Sequence, residues 1–96
     1  MLKPFMLGQC RATHGAIHAL AANDTAALVL IVQHANGQWG ELSDHDKQMN
    51  DAALEDGSRI LSSYRLEDGT KLWVITDAQN DDGIRESTCI MLPEEY

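Results

Sequence analysis

The chain has 96 residues, 7 of them basic and 15 acidic, with a formal net charge of −8. That length fits one small domain, and 44% hydrophobic content with 23% charged residues supports one modest core rather than a disordered chain. The acid excess argues against direct binding of DNA or RNA, which needs a basic footprint, and against anionic membranes.

The opening MLKPFMLGQC lacks the apolar core and small-residue cleavage site of a signal peptide. The longest apolar stretch, residues 26–32, is far shorter than the ~20 residues of a membrane span. Cys10 and Cys89 are too few for a disulfide framework and read as free, mostly buried thiols. A cytoplasmic protein is expected.

In chain order, residues 5–12 predict a short strand or extended arm. Thr13 is placed to cap a helix over 14–22, with Ala16, Ile17 and Leu20 on one face and Asn23-Asp24 as its break. Thr25 is placed to open a second helix, which Gly37 stops. Apolar residues cover nearly every side of that helix, so it is expected to be the central and most buried element. Ser43 predicts the cap of a third helix over 44–56, with acids in its first turn and Gly57 as its stop. Residues 59–66 and 71–76 predict two strands joined by Glu67-Asp68-Gly69-Thr70, which carries the Asp-Gly hairpin signal. A polar loop over 77–85 and a last strand over 87–92 follow, and Pro93 ends that strand. The reading is one α+β domain over 1–96, ordered β-α-α-α-β-β-β, with the helices on one face of an antiparallel sheet.

Charge is distributed unevenly. Residues 1–40 carry Lys3, Arg11 and Asp24, a net of +1, whereas residues 41–96 carry 5 basic and 14 acidic residues, a net of −9. A helical step of 100° places Asp44, Asp51 and Glu55 within about 40° of one another on the third helix. Asp77, Asp81 and Asp82 form a second acidic group, Glu67-Asp68 sit at the hairpin tip and Glu94-Glu95 in the tail. Such a surface either keeps a small protein soluble or docks on a basic one.

Motifs of catalysis and metal binding are sparse. His14 and His18 have the i, i+4 spacing of two metal ligands but lack a set of further ligands around them. The run from Asp77 resembles a calcium loop, yet Asp82 stands where the motif needs Gly and Thr88 where it needs Glu. Nucleophile-elbow, Walker and dinucleotide patterns are missing, so neither catalysis nor a cofactor is expected. Around Trp39, the sequence suggests a polar clasp: Met49, Ala53 and Leu54 mark the apolar side of the third helix, and Asp46 and Asn50 fall within it. Those two need partners, for which the Trp39 indole or the Gly40 turn are candidates. A ligand or partner site around Trp39 is the functional alternative.

The runs HANGQWGELSDHDKQMNDAALEDGSRILSSY, LEDGTKLWVIT and LPEEY, with the opening PFMLGQCRATHGAIHAL, resemble a family of small "plasmid-related proteins" encoded on proteobacterial plasmids and integrative elements. The resemblance covers residues 34–76 and 90–96 best. It departs over residues 79–85, where this chain is longer and more acidic. The family offers no catalytic residues to carry over. What the resemblance implies is context: small acidic proteins of mobile elements often inhibit host defence, as anti-CRISPR or anti-restriction factors. The expectation is therefore an inhibitor whose acidic residues Asp44, Asp51, Glu55, Asp77, Asp81 and Asp82, with Trp39, meet a basic surface of a CRISPR effector or other defence complex. A plasmid-maintenance or regulatory module, acting as a homodimer through the Trp39 region or a sheet edge, is the alternative.

Overall fold

The computed structural model describes residues 5–96. Lys3, counted above in the charge of the first forty residues, lies outside them. Strand β1 spans Gln9–Ala12, and Thr13 then caps α1, His14–Ala22, its side chain accepting the Ala16 N–H at 3.1 Å. Asp24, in a left-handed conformation (φ 49°), turns the chain into α2, Ala27–Ala35. Thr25 is not the cap of α2. Its hydroxyl donates to the Asn23 carbonyl, and α2 begins after Ala26 with no side-chain cap. Ser43 caps α3, Asp44–Asp56, by accepting the Asp46 N–H, and Gly57 ends it at φ 82°, where a side chain would be strained. Strands β2, Ile60–Arg65, and β3, Lys71–Thr76, form the expected hairpin, and β4, Ser87–Met91, leads into a 3-10 turn over Pro93–Glu95.

The sheet order is β1-β4-β3-β2. It is mixed rather than antiparallel, because β1 pairs with β4 in parallel, Cys10 opposite Thr88 and Ala12 opposite Ile90. Parallel neighbours need a long connection, which the three helices and the hairpin supply. The architecture remains α+β.

Helices α1 and α2 cover one face. Ala16, Leu20, Leu30 and Ile31 pack there on Tyr64, Leu72, Val74 and Ile90. α2 is not the most buried element. Leu30, Ile31 and His34 point inward, but Leu28, Val29 and Val32 are about half or more exposed. In a two-layer fold a helix has one partner face, so an all-round apolar pattern leaves one side in water.

α3 lies along the outer edge of β2. Asn50, buried, donates to the Leu61 carbonyl at 2.7 Å and accepts the Leu61 N–H at 3.1 Å. One residue pair further on, Ser63 N–H donates to the Trp39 carbonyl and Glu41 N–H donates to the Ser63 carbonyl. Gly40 makes this approach possible, since a Cβ there would strike the Ser63 carbonyl. A strand edge that would otherwise offer unpaired groups to other chains is thereby closed. A second core cluster of Trp39, Ala53, Leu54 and Ile60, with Phe5 and Leu42 against it, holds α3 in place.

Among the described residues, no single helix is long and apolar enough to cross a membrane. Cys10 and Cys89 are both free, and Cys10 is exposed on β1 rather than buried.

Candidate functional site

The acidic residues singled out in the sequence stand on two elements that meet. Asp44, Asp51 and Glu55 are exposed along α3. Asp77, Asp81 and Asp82 are exposed on the loop joining β3 to β4. That loop docks on the C-terminal end of α3. Gln79 N–H donates to the Gly57 carbonyl at 2.8 Å, and Glu55, Gln79, Gly83 and Arg85 border one hollow.

Arg85 makes the junction. Its side chain is buried, and its guanidinium donates to the carbonyls of Ser58 (2.6 Å), Asp77 (3.0 Å) and Ala53 (2.9 Å). The Ala53 carbonyl belongs to the last turn of α3, where the helix dipole favours a cation. Burial pulls the guanidinium pKa below its ordinary value, and the neighbouring Asp56 carboxylate pulls it back up. The loop is also folded on itself around Asn80, whose side-chain carbonyl accepts the N–H groups of Asp82 and Ile84. The acids at its tip therefore stand on an ordered turn.

Other acids serve the fold or lie elsewhere. Glu95 accepts the Thr13 hydroxyl at 2.6 Å and the Leu92 N–H at 2.8 Å, and the Thr13 bond leads in holding its carboxyl below the usual range. Asp68 is held low in the same way by Thr70, inside the hairpin turn. Glu41 pairs with Arg65 at 3.1 Å. The hairpin tip lies at the opposite end of the strands from the 77–86 loop, so Glu67 and Asp68 do not join its acids.

Trp39 does not offer a partner surface. It is 5% exposed, packed against Phe5 and His34, and its indole N–H donates to Asp51 at 3.2 Å. The clasp expected around it is arranged differently. Asn50 points inward but serves the β2 edge; Asp46 and Met49 are exposed. His14 and His18 are exposed, and no group of three or more His, Cys, Asp or Glu that could hold a metal comes together among the described residues.

Two polar side chains, His34 and Arg85, have buried roles that the sequence did not reveal. His34 is fully buried between Ser62 (Nδ1, 2.6 Å) and Thr76 (Nε2, 2.8 Å). A histidine on the buried side of α2, in line with Leu30 and Ile31, was the available signal. Arg85, one cation in a run of acids, was the other. On the sheet face away from α1 and α2, a groove of about 690 Å³ runs past Asp46, Met49, Leu61, Ser63, Lys71 and Trp73. The Trp73 ring meets Tyr96 edge-on at 5.7 Å, and the Arg59 guanidinium lies 5.1 Å from the centre of the Tyr96 ring.

No family model, curated protein or solved structure matches this chain.

Proposed function

We propose that this protein is a non-catalytic binding protein of the cytoplasm that docks through its acidic face on a basic, nucleic-acid-binding surface of another protein. The observation that carries this reading is the Arg85 junction. Two hydrogen bonds from one buried guanidinium, to the Ser58 and Ala53 carbonyls, seat the loop of Asp77, Asp81 and Asp82 against the end of the helix that bears Asp44, Asp51 and Glu55, and a third, to the Asp77 carbonyl, ties the loop to itself. Two acidic groups far apart in sequence thus belong to one rigid assembly. A preorganised negative field speeds encounter with a cationic partner and selects its sign. Removing one partner of a buried charged pair across such an interface costs ~2–5 kcal/mol, whereas a rim acid contributes far less. The resemblance to mobile-element proteins makes a CRISPR effector or another defence complex the leading target, with the protein acting as an inhibitor that keeps target DNA from its site.

The test is charge reversal that spares the fold. Asp51 accepts the Trp39 indole N–H, so it is left in place. A triple Asp44→Lys, Asp81→Lys, Asp82→Lys variant and the wild-type chain are used as bait in host lysate. The expected outcome is a nucleic-acid-binding protein retained by the wild type and lost by a folded variant. Equal retention by both chains discards the acidic face as the binding surface.

A further inference from the structure

The floor of the groove on the sheet face away from α1 and α2 holds a polar group that the fold leaves unpartnered. Side chains alternate along a strand, so Ser62 meets His34 on the helix-covered face and Ser63 turns to the groove. Ser63 is 2% exposed, and its hydroxyl has no hydrogen-bond partner among the described residues. Buried hydroxyls nearly always have one, so an orphan at the base of a groove calls for a partner brought from outside. The groove volume, about 690 Å³, is that of a site for a small molecule.

A ring and a cation converge on that hydroxyl. Trp73 stands directly across from Ser63 in the β2–β3 ladder and is half-buried on the same face. Tyr96 meets the Trp73 ring edge-on and Arg59 lies against Tyr96, so the indole is held from one side. Lys71 is two residues from Trp73 on β3, roughly 7 Å along the strand, and lines the same groove. Its ammonium makes no ion pair or hydrogen bond among the described residues. Glu41, the acid at that end of the groove, is taken by Arg65, which it meets through both carboxylate oxygens.

We infer that the groove binds a small aromatic carboxylate. Its planar body lies on Trp73, and its carboxylate accepts from the Lys71 ammonium and the Ser63 hydroxyl. Charge decides the sign of the ligand. With Glu41 paired, the groove keeps two cations without an ion pair, Lys71 and Arg59, against one such acid, Asp46, in a chain of net charge −8. Asp46 stands on the α3 side, so it keeps the carboxylate off that wall and turns it towards β3. The acids that line the groove, Glu41 and Asp46, are not those of the docking face, so the inference is independent of what that face binds.

Titration of the full chain with a naphthoate, the matching naphthamide and the matching naphthylmethylammonium tests it, because the ring is constant and only the charge changes. Binding is followed by two-dimensional NMR. The naphthoate should saturate and shift the Trp73 indole N–H and the backbone amides of Ser63 and Lys71. The naphthamide should bind about tenfold or more weakly, the order expected for a lost charge-assisted hydrogen bond, and the ammonium more weakly still. Lys71→Gln, a change of an unpaired side chain, should keep the fold and erase the preference for the naphthoate over the naphthamide. Ser63→Ala should weaken the naphthoate several-fold without loss of stability, and serves if the Lys71 variant misfolds. Equal affinity for the three probes means apolar adsorption only and overturns the inference. So does a preference for the ammonium, which would assign the groove to Asp46, a naphthoate unmoved by both variants, or no saturable binding at millimolar concentration.

Discussion

The Nε2 nitrogen of His34 lies 2.8 Å from the hydroxyl of Thr76, and the proton between them belongs to the imidazole. The assignment follows from counting protons along a chain of buried groups. Thr88 donates its one hydroxyl proton to the Leu7 carbonyl at 2.7 Å. The Thr76–Thr88 bond of 2.7 Å must then be donated by Thr76. Thr76 has no proton left for His34, so Nε2–H donates, and Nδ1 accepts from Ser62 at 2.6 Å. The network ties α2 to β2, β3 and β4 and ends on the segment before β1. It holds a neutral ring, because burial away from water disfavours the charged imidazolium.

That arrangement predicts an acid-sensitive fold. Burial lowers the His34 pKa to about 4, against 6.5 for a free imidazole. Below pH 6.5 the unfolded chain takes up a proton that the folded chain refuses, so stability is fully present above that value. It falls as pH drops towards 4, by of the order of 3 kcal/mol in all. Asp56, Asp68 and Glu95, each held low by hydrogen bonds, lose their contributions at still lower pH. Urea denaturation between pH 7 and pH 4 should show the loss. His34→Gln should lower stability at pH 7 and flatten the slope between pH 6.5 and 4; an unchanged slope refutes the assignment.

Two adjacent serines should behave oppositely. Ser62 donates to His34, and both are buried. Ser62→Ala strands the ring nitrogen and should cost ~1–3 kcal/mol. Ser63 is equally buried on the other sheet face, and its hydroxyl has no hydrogen-bond partner among the described residues. Ser63→Ala should be neutral or stabilising by up to ~1 kcal/mol. Chemical denaturation of the two variants decides it, and a Ser63→Ala loss as large as that of Ser62→Ala means the Ser63 hydroxyl is satisfied.

Local chemistry made most elements legible. Thr13, Ser43, Gly57 and the Asp-Gly turn each act through the backbone of their own neighbourhood, so a reader of the sequence can place α1, α3 and the β2–β3 hairpin from them. What failed depends on contacts far along the chain. Whether Leu28 and Val32 are buried is decided by the number of layers, which apolar periodicity does not encode. The parallel pairing of β1 depends on a strand about eighty residues away. Trp39 looked available because its partners, Phe5 and Asp51, meet it only in the folded chain. The acidic stripe on α3 follows from helical geometry alone, but its junction with the 77–86 loop rests on Arg85 reaching Ala53 and Ser58.

Asn50 should be worth more than its size suggests. It satisfies both backbone groups of Leu61 on the outer side of β2. Asn50→Ala should destabilise by about 2 kcal/mol, the order of cost for a lost pair of partly buried bonds, and should promote self-association through the opened edge. Gln48→Ala, on the exposed part of the same helix, should change neither quantity by a measurable amount. Urea titration with light scattering on both variants separates the edge effect from a loss of helix propensity.

Replacing Arg85 separates net charge from preorganisation. Arg85→Met leaves the carbonyls of Ala53, Ser58 and Asp77 without their donor and should cost about 3 kcal/mol. Arg85→Lys keeps the charge but lacks the planar fork that reaches three acceptors, so it should recover only part of that loss. Amide exchange over residues 77–86 should quicken in both variants, more in Met than in Lys. Binding carries the sharper contrast. Arg85→Met makes the protein one charge more negative, so if net charge alone governed docking, affinity for a polyarginine peptide would rise. If the seated loop matters, affinity falls although the field has grown, and Arg85→Lys, with the charge unchanged, falls too. Titration calorimetry at a temperature where both variants remain folded reads the sign directly, and an increase for Arg85→Met would show that the loop's attachment to α3 contributes nothing to binding.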